Sequence, residues 1–159
     1  MATVRRATEE DWRELRSVRL AALEDSPQAF GSSLADEERL GQESWRVWAR
    51  SAAVFIAFGS GAPVGMVAAH GGASPDERRL VALWVSPDHR RDGVASALIA
   101  HVEAWARAEG ARRLTLWVTE GNKSARRAYE GHGFRVAGER KPLPSNPAAQ
   151  EELLVLTLR

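Results

Sequence analysis

The spacing of apolar and polar positions along this chain changes several times, and each change marks an element. Residues 3–7 read as a short opening strand. At Thr8 the pattern turns helical, with a threonine in the capping position, Glu9, Glu10 and Asp11 in the first turn, and Trp12, Leu15, Val18 and Ala22 at helical spacing. Ser26-Pro27 breaks it, and a second helical stretch falls within 34–51, where Trp45 and Trp48 stand on one face. Two apolar runs of strand length, 53–58 and 64–70, flank Gly59-Ser60-Gly61-Ala62-Pro63 and predict a hairpin. Residues 80–85 predict a further strand. From Asp92 or Gly93 to about Glu109, the apolar side of a helix carries Val94, Ala97, Leu98, His101, Val102 and Trp105, and Gly110 supplies a C-terminal stop. A strand over 114–118 follows, then a helix from Asn122 to about His132 ending at Gly133. Residues 134–137 and 153–158 predict closing strands, with the Pro-rich stretch 141–150 as a loop between them.

This order, β-α-α-β-β-β-α-β-α-β-β, predicts an α/β (α+β) architecture. Its central sheet is mixed, mostly antiparallel, and built of about seven strands flanked by about four helices. No repeat or dividing linker interrupts the chain, so residues 1–159 are expected to form one domain. Composition narrows the chemistry. There is no cysteine, which excludes disulfides, thiolate metal sites and cysteine nucleophiles, and a single tyrosine, Tyr129, beside six tryptophans and four phenylalanines. The formal charge of +1 argues against a nucleic-acid binder, although residues 76–141 carry 13 Lys and Arg against 9 Asp and Glu. That basic middle suits either a small polyanion or a solvated face. No run approaches the ~18 apolar residues of a membrane span, and the start lacks the apolar region of a signal peptide, so the expected compartment is the cytoplasm. The spacing of His89, His101 and His132 fits no zinc pattern; no metal is expected, and His101 is read as a hydrogen-bonded core residue.

The segment from Val85 to Leu98 carries the strongest chemical signal. A buried strand ends, a Pro-containing turn follows, and a helix opens at Gly93. A helix start leaves several backbone N–H groups unpaired, and their dipoles favour an anion. Gly93 and Ala95 lack bulk, and Arg90 and Arg91 add positive charge, so the segment reads as a pyrophosphate cradle. On spacing alone a plain strand-loop-helix joint fits as well. No Gly-Lys-Ser/Thr follows, and no G-x-G-x-x-G opens a first βαβ unit, which removes support for a nucleotide kinase or a dehydrogenase.

Here the sequence resembles the GNAT superfamily of N-acetyltransferases. Arg90-x-x-Gly93-x-Ala95 is similar to that family's acetyl-CoA signature, Gln/Arg-x-x-Gly-x-Gly/Ala. Asn122-Lys123-Ser124-Ala125-Arg126-Arg127-Ala128-Tyr129-Glu130-Gly131-His132-Gly133-Phe134 is similar to its Asn-x-x-Ala-x-x-x-Tyr-x-x-x-Gly-Phe segment. Element order and motif separation agree from about residue 3 to 158. The resemblance implies a GNAT-like fold, acetyl-CoA as cosubstrate and a cofactor site built from Arg90, Arg91, Asp92, Gly93, Val94, Ala95 and Ser96. It further implies that Leu83, Trp84 and Val85 pair through their backbone with the pantetheine arm at a splay between strands. Asn122 would contact the pantetheine, Tyr129 would sit near the thioester sulfur, and Arg126 or Arg127 would be placed for the 3′-phosphate.

The chemistry of amide formation from a thioester fits these residues. A phenol with a pKa near 10 is protonated at neutral pH and can donate to a developing thiolate. Tyr129 lies seven residues beyond Asn122, about two helical turns, so the two share a face. Apart from the motif, Tyr129 also reads as an ordinary core aromatic. For the general base, Glu120 ranks first and His70 second, with no dedicated base as the remaining option. Residues 24–50 are expected to cover the acceptor, with Phe30, Gly31 and Ser32 lining it, although Phe30, Trp45 and Trp48 also suit plain core packing. The expected activity is acetyl transfer from acetyl-CoA to a primary amine, of a small molecule or a protein, by direct transfer in a ternary complex. The alternative is a catalytically silent acyl-CoA-binding module. No nucleic-acid or membrane partner is expected, and the family's frequent dimerisation leaves a homodimer open.

Overall fold

The computed structural model describes residues 2–144 and 146–159. Strand β1 (Thr3–Arg6) is followed by α1 (Trp12–Asp25), α2 (Leu34–Glu38) and α3 (Gln42–Ser51). Then come β2 (Ala53–Gly59), β3 (Ala62–Gly71), β4 (Glu77–Val85), α4 (Val94–Ala108), β5 (Arg113–Thr119), α5 (Lys123–Gly131), β6 (Arg135–Leu143) and β7 (Asn146–Thr157). The strands form one seven-stranded sheet in the order β1-β2-β3-β4-β5-β7-β6. Among the described residues only β4 and β5 run parallel; every other neighbouring pair is antiparallel. The mixed α/β architecture expected from the sequence is present, with the 34–51 stretch divided into two helices.

The chain enters α1 through a short 3-10 turn closed by a capping box. The Thr8 amide donates to Asp11 Oδ2 (2.8 Å), and the Glu10 amide donates to Thr8 Oγ1 (3.3 Å). Both faces of the central strands are covered, which explains their unbroken apolar runs. Ala53, Phe55 and Ala57 of β2, with Val67 and Ala69 of β3, pack in one cluster with Leu98, Ile99 and Val102 of α4. Val54, Ile56, Met66 and Ala68 pack in a second with Leu15, Val18 and Ala22 of α1 and Trp45 and Ala49 of α3. The strand period of two thus sorts alternate residues onto two helical layers.

Two expectations need correction. Residues 141–150 are not a loop: β6 continues to Leu143 and pairs with a β7 that begins at Asn146, with Lys141 opposite Glu151 and Pro142 opposite Gln150. Proline is tolerated there because β6 is an edge strand and needs no outward N–H partner. His101 is not in the core. The buried stripe of α4 is Val94, Leu98, Ile99, Val102 and Ala106, which leaves His101 exposed, its Nδ1 2.8 Å from the Ala97 carbonyl oxygen and its ring 5.7 Å from that of Phe55.

The parallel pair is pinned at its start. Thr115, 2% exposed, donates its hydroxyl to Glu77 Oε2 (2.8 Å) and accepts from Arg79 Nε (2.8 Å), while Arg79 also reaches Glu77 Oε2 (2.9 Å). Burial opposes ionisation of Glu77, but hydrogen bonds from Thr115, Arg79 and the Ala73 amide outweigh it and hold the carboxyl below its ordinary value. Thr115→Val removes the central member of this triad without changing its shape. It is expected to lower stability by about 1–3 kcal/mol, read from the midpoint of urea unfolding.

Candidate active site

Beyond that pinned end, β4 and β5 separate. Their pairing is confined to Glu77, Arg78 and Arg79 against Arg113, Leu114 and Thr115. The cause lies on the other side of β4. Its register with β3 jumps from Val81 opposite Ala68 to Trp84 opposite Met66, so Ala82 and Leu83 both stand against Val67. Ala82 takes a left-handed conformation, φ 58°, as a bulge of this kind requires. Gly65 makes room for the bend: a Cβ there would lie 2.9 Å from the Trp84 carbonyl oxygen. From Leu80 to Val85 the β5-facing edge of β4 therefore has no strand partner, and its backbone is available to an extended ligand.

At the outer end of this gap sits the start of α4. Arg91 (φ 68°) and Gly93 (φ 81°) are both left-handed, and Gly93 is the capping residue without a side-chain bond to the helix. Among the described residues, the amides of 91–96 have no hydrogen-bond acceptor. Consecutive free N–H groups at a helix N-terminus form an anion cradle. Arg91, Asp92, Gly93 and Ser96 are exposed, Ala95 is half-buried, and Val94 turns inward to anchor the helix.

Arg90 is differently employed. Its Nε donates to the Val85 carbonyl (3.0 Å) and a terminal nitrogen to Asp25 Oδ2 (2.6 Å). The same carboxylate oxygen accepts from the Trp84 indole N–H (3.0 Å) and the Ser26 hydroxyl (2.7 Å). Hydrogen bonds from Trp84 and Ser26, then Arg90, hold the Asp25 carboxyl below its ordinary value of 3.8 against a smaller effect of burial. Arg90 is thus a brace between the end of α1 and the turn after β4, and Arg91 is the open cation of the pair.

On the far side of the gap, Asn122 caps α5, its Oδ1 accepting from the Ala125 amide at 3.3 Å. Tyr129 is 6% exposed, lies in the apolar cluster with Leu83, Val85 and Leu116, and meets Phe134 edge to face at 5.7 Å. Burial alone pushes its phenol well above the ordinary value of 10. Arg126 is bound to Glu152 at 2.6 Å, whereas Arg127 is exposed. Glu120 is exposed at the end of β5 and lines a small hollow with Asn122, Arg126 and Glu152.

A cavity of about 300 Å³ opens between the sheet and the helical cover. Arg79, Leu80, Val81 and Ala82 of β4, Trp117 of β5 and Glu151 of β7 meet Arg19 of α1, the segment 29–31, Trp48 of α3 and His70 there. Of the residues expected to line the acceptor, Phe30 and Gly31 are on this cavity, while Ser32 lines a neighbouring hollow with Glu37. Of the expected bases, His70 is on its rim and Glu120 is not. Trp117, Arg79 and Glu151 were missed by sequence reasoning, as was Arg19, whose guanidinium is bound twice to Glu37 at 2.9 Å. A larger open cleft of about 780 Å³ lies beside the 71–75 turn, but it shares only His70 with this cavity and none of the motif residues.

A sheet opened between its two parallel strands, with a free-amide cradle at one end of the opening, is the architecture of the acetyltransferase class. The chain belongs to the acetyltransferase (GNAT) family, whose model matches residues 9–134. Its structure is similar to that of a GNAT-family acetyltransferase from Streptococcus pneumoniae (TM-score 0.80, 22% identity, covering 99% of this chain and 100% of that one). It is also similar to yncA from Salmonella typhimurium, solved with its cofactor acetyl-CoA (TM-score 0.78, 16% identity, 100% and 95% covered). In sequence, 63 residues are 40% identical to the acetyl transferase GW6a of Oryza sativa subsp. japonica, a match spanning 40% of this chain and 15% of that protein.

The Asp25 brace has a pH signature. A carboxyl held below its ordinary value stabilises the fold fully at neutral pH, and the contribution is lost as pH falls through and below 3.8. Asp25→Asn is expected to unfold more readily at pH 7, by at most about 1 kcal/mol once solvent screening is allowed for, with the gap shrinking as pH falls below 3.8 in urea titrations. A gap that does not shrink at all in acid contradicts the assignment.

Proposed function

We propose that this protein is an N-acetyltransferase that moves an acetyl group from acetyl-CoA to a primary amine, directly, within a ternary complex in the cytoplasm. The observation that carries the reading is the run of unpartnered amides over 91–96 at the mouth of the β4–β5 gap. Those N–H groups, with Arg91, suit a pyrophosphate, and the free edge of Leu83, Trp84 and Val85 suits the amide-rich arm that follows it. Asn122, the cap of α5 on the opposite bank, suits contact with the same arm, and exposed Arg127 suits a further phosphate. Acetyl-CoA supplies an activated carbonyl attached to a good leaving thiolate.

The chain's own residues supply position and a proton. An amine in the 300 Å³ cavity approaches the gap from the side of Trp117 and Ala82, and a free backbone N–H of the bulged β4 edge polarises the carbonyl. Once the acceptor's ammonium has lost a proton to solvent, its nitrogen lone pair forms the C–N bond, the C–S bond breaks, and the departing sulfur takes a proton from the Tyr129 hydroxyl, which recovers one from the nitrogen. A phenol raised by burial stays protonated across the working pH range, as a general acid must. With no cysteine in the chain, no acyl-cysteine intermediate is available, which favours direct transfer.

Two measurements test this reading. Acetyl-CoA at millimolar concentration is expected to raise Tm by selective binding to the folded state, and an unchanged Tm rejects the cofactor. Tyr129→Phe is expected to reduce kcat by about 10²–10⁴-fold while the acetyl-CoA dissociation constant stays within about twofold. Equal kcat for the two proteins rejects the tyrosine as acid.

A further inference from the structure

One ammonium of this chain already rests beside the acceptor cavity. Lys141 of β6 is the cross-strand partner of Glu151 of β7, and Glu151 in turn stands opposite Thr119 of β5, on the face that carries Trp117. The Lys141 Nζ lies 3.6 Å from Glu151 Oε2 and 4.4 Å from the centroid of the Trp117 ring. A carboxylate and an aromatic face converging on one point make a cation seat, and the lysine shows that an ammonium fits it. Glu151 itself is 8% exposed and, with Trp117, lines the cavity.

The neighbouring cations are held in a different manner. Arg19 is bound twice to Glu37 and lies over the rings of Phe30 and Trp48, at 4.9 and 5.5 Å. Arg79 also lies over the Trp117 ring, at 6.0 Å, but is locked into the triad with Thr115 and Glu77. Their side chains are 11% and 20% exposed, so displacing either breaks a largely buried pair. Lys141 is 46% exposed on a four-carbon stem at the sheet edge and can swing into water at little cost. Phe30, Trp48, Leu80 and Val81 give the same cavity an apolar share of its lining, beside Arg19, Arg79 and His70.

We infer that Glu151 and Trp117 form the subsite for the acceptor's ammonium, and that Lys141 occupies this seat as a built-in competitor until an acceptor displaces it. The substrate class that follows is a primary ammonium carried on an apolar body, the cation against Glu151 and Trp117 and the body against Phe30 and Trp48. The inference rests on the reading of the β4–β5 gap as the seat of the thioester, because that reading makes this cavity the acceptor's.

The test is a calorimetric titration of 2-phenylethylammonium into the full-length protein saturated with CoA, at one pH, for the parent, Glu151→Gln and Lys141→Met. The parent is expected to bind the probe, Glu151→Gln about tenfold more weakly, and Lys141→Met about threefold more tightly, with CoA affinity unchanged in both. A purely structural ion pair would instead affect the two variants alike. The inference is overturned by unaltered affinity in Glu151→Gln, by equal or weaker affinity in Lys141→Met, or by no binding to any of the three. Failure of CoA itself to bind would overturn the parent reading and this one together; CoA binding without the expected probe pattern would overturn this one alone.

Discussion

The site depends on a contrast between two halves of one strand. Through Arg79, β4 is tied to β5 by ladder bonds and by the Glu77–Thr115–Arg79 triad; past Arg79 it is free of β5 altogether. An opening between parallel strands exposes unpaired backbone and costs stability, so it persists only where its base is fixed. The triad fixes that base with charged, nearly buried hydrogen bonds. The bulge at Ala82 and Leu83 then bends β4 away, and Gly65 on β3 yields the space.

Everything chemical is arranged around this opening. The free amides over 91–96 lie at its outer end, Tyr129 behind it in the α4-side cluster, and the 300 Å³ cavity on the other face. The two faces are joined through Asp25, which ties the end of α1 to both Trp84 of β4 and Arg90 of the cradle turn. One carboxylate oxygen at the end of α1 thus touches both β4 and the turn before α4.

Most of the architecture was legible because each central element obeys a single period. The β2 and β3 runs are buried on both faces, α4 has a capping glycine at each end, and the cofactor motif coincides with a strand end and a helix start. What was hidden lay where tertiary context overrides local pattern. Pro142, Pro144 and Pro147 suggested a loop, but Pro142 lies on an edge strand, Pro144 in the turn and Pro147 near the start of β7, and losing that hairpin also lost Glu151 and Lys141 from view. His101 lies one position from the true buried stripe of α4, a displacement that apolar spacing does not resolve. Arg90 was legible as a motif residue and not as a brace, because its partner Asp25 is 65 positions away in sequence. Arg19 was hidden likewise, its buried charge matched by Glu37.

The central claim is that the free backbone of β4 and of the turn before α4 is a ligand site and not merely an unpaired edge. Amide hydrogen exchange with and without acetyl-CoA addresses it most directly. Exchange at 81–85 and 91–96 should slow markedly when acetyl-CoA is added, while β2 and β3, already paired on both sides, stay as they were. Unchanged exchange in those two segments under saturating acetyl-CoA, or protection confined to the cleft beside 71–75, would contradict the account.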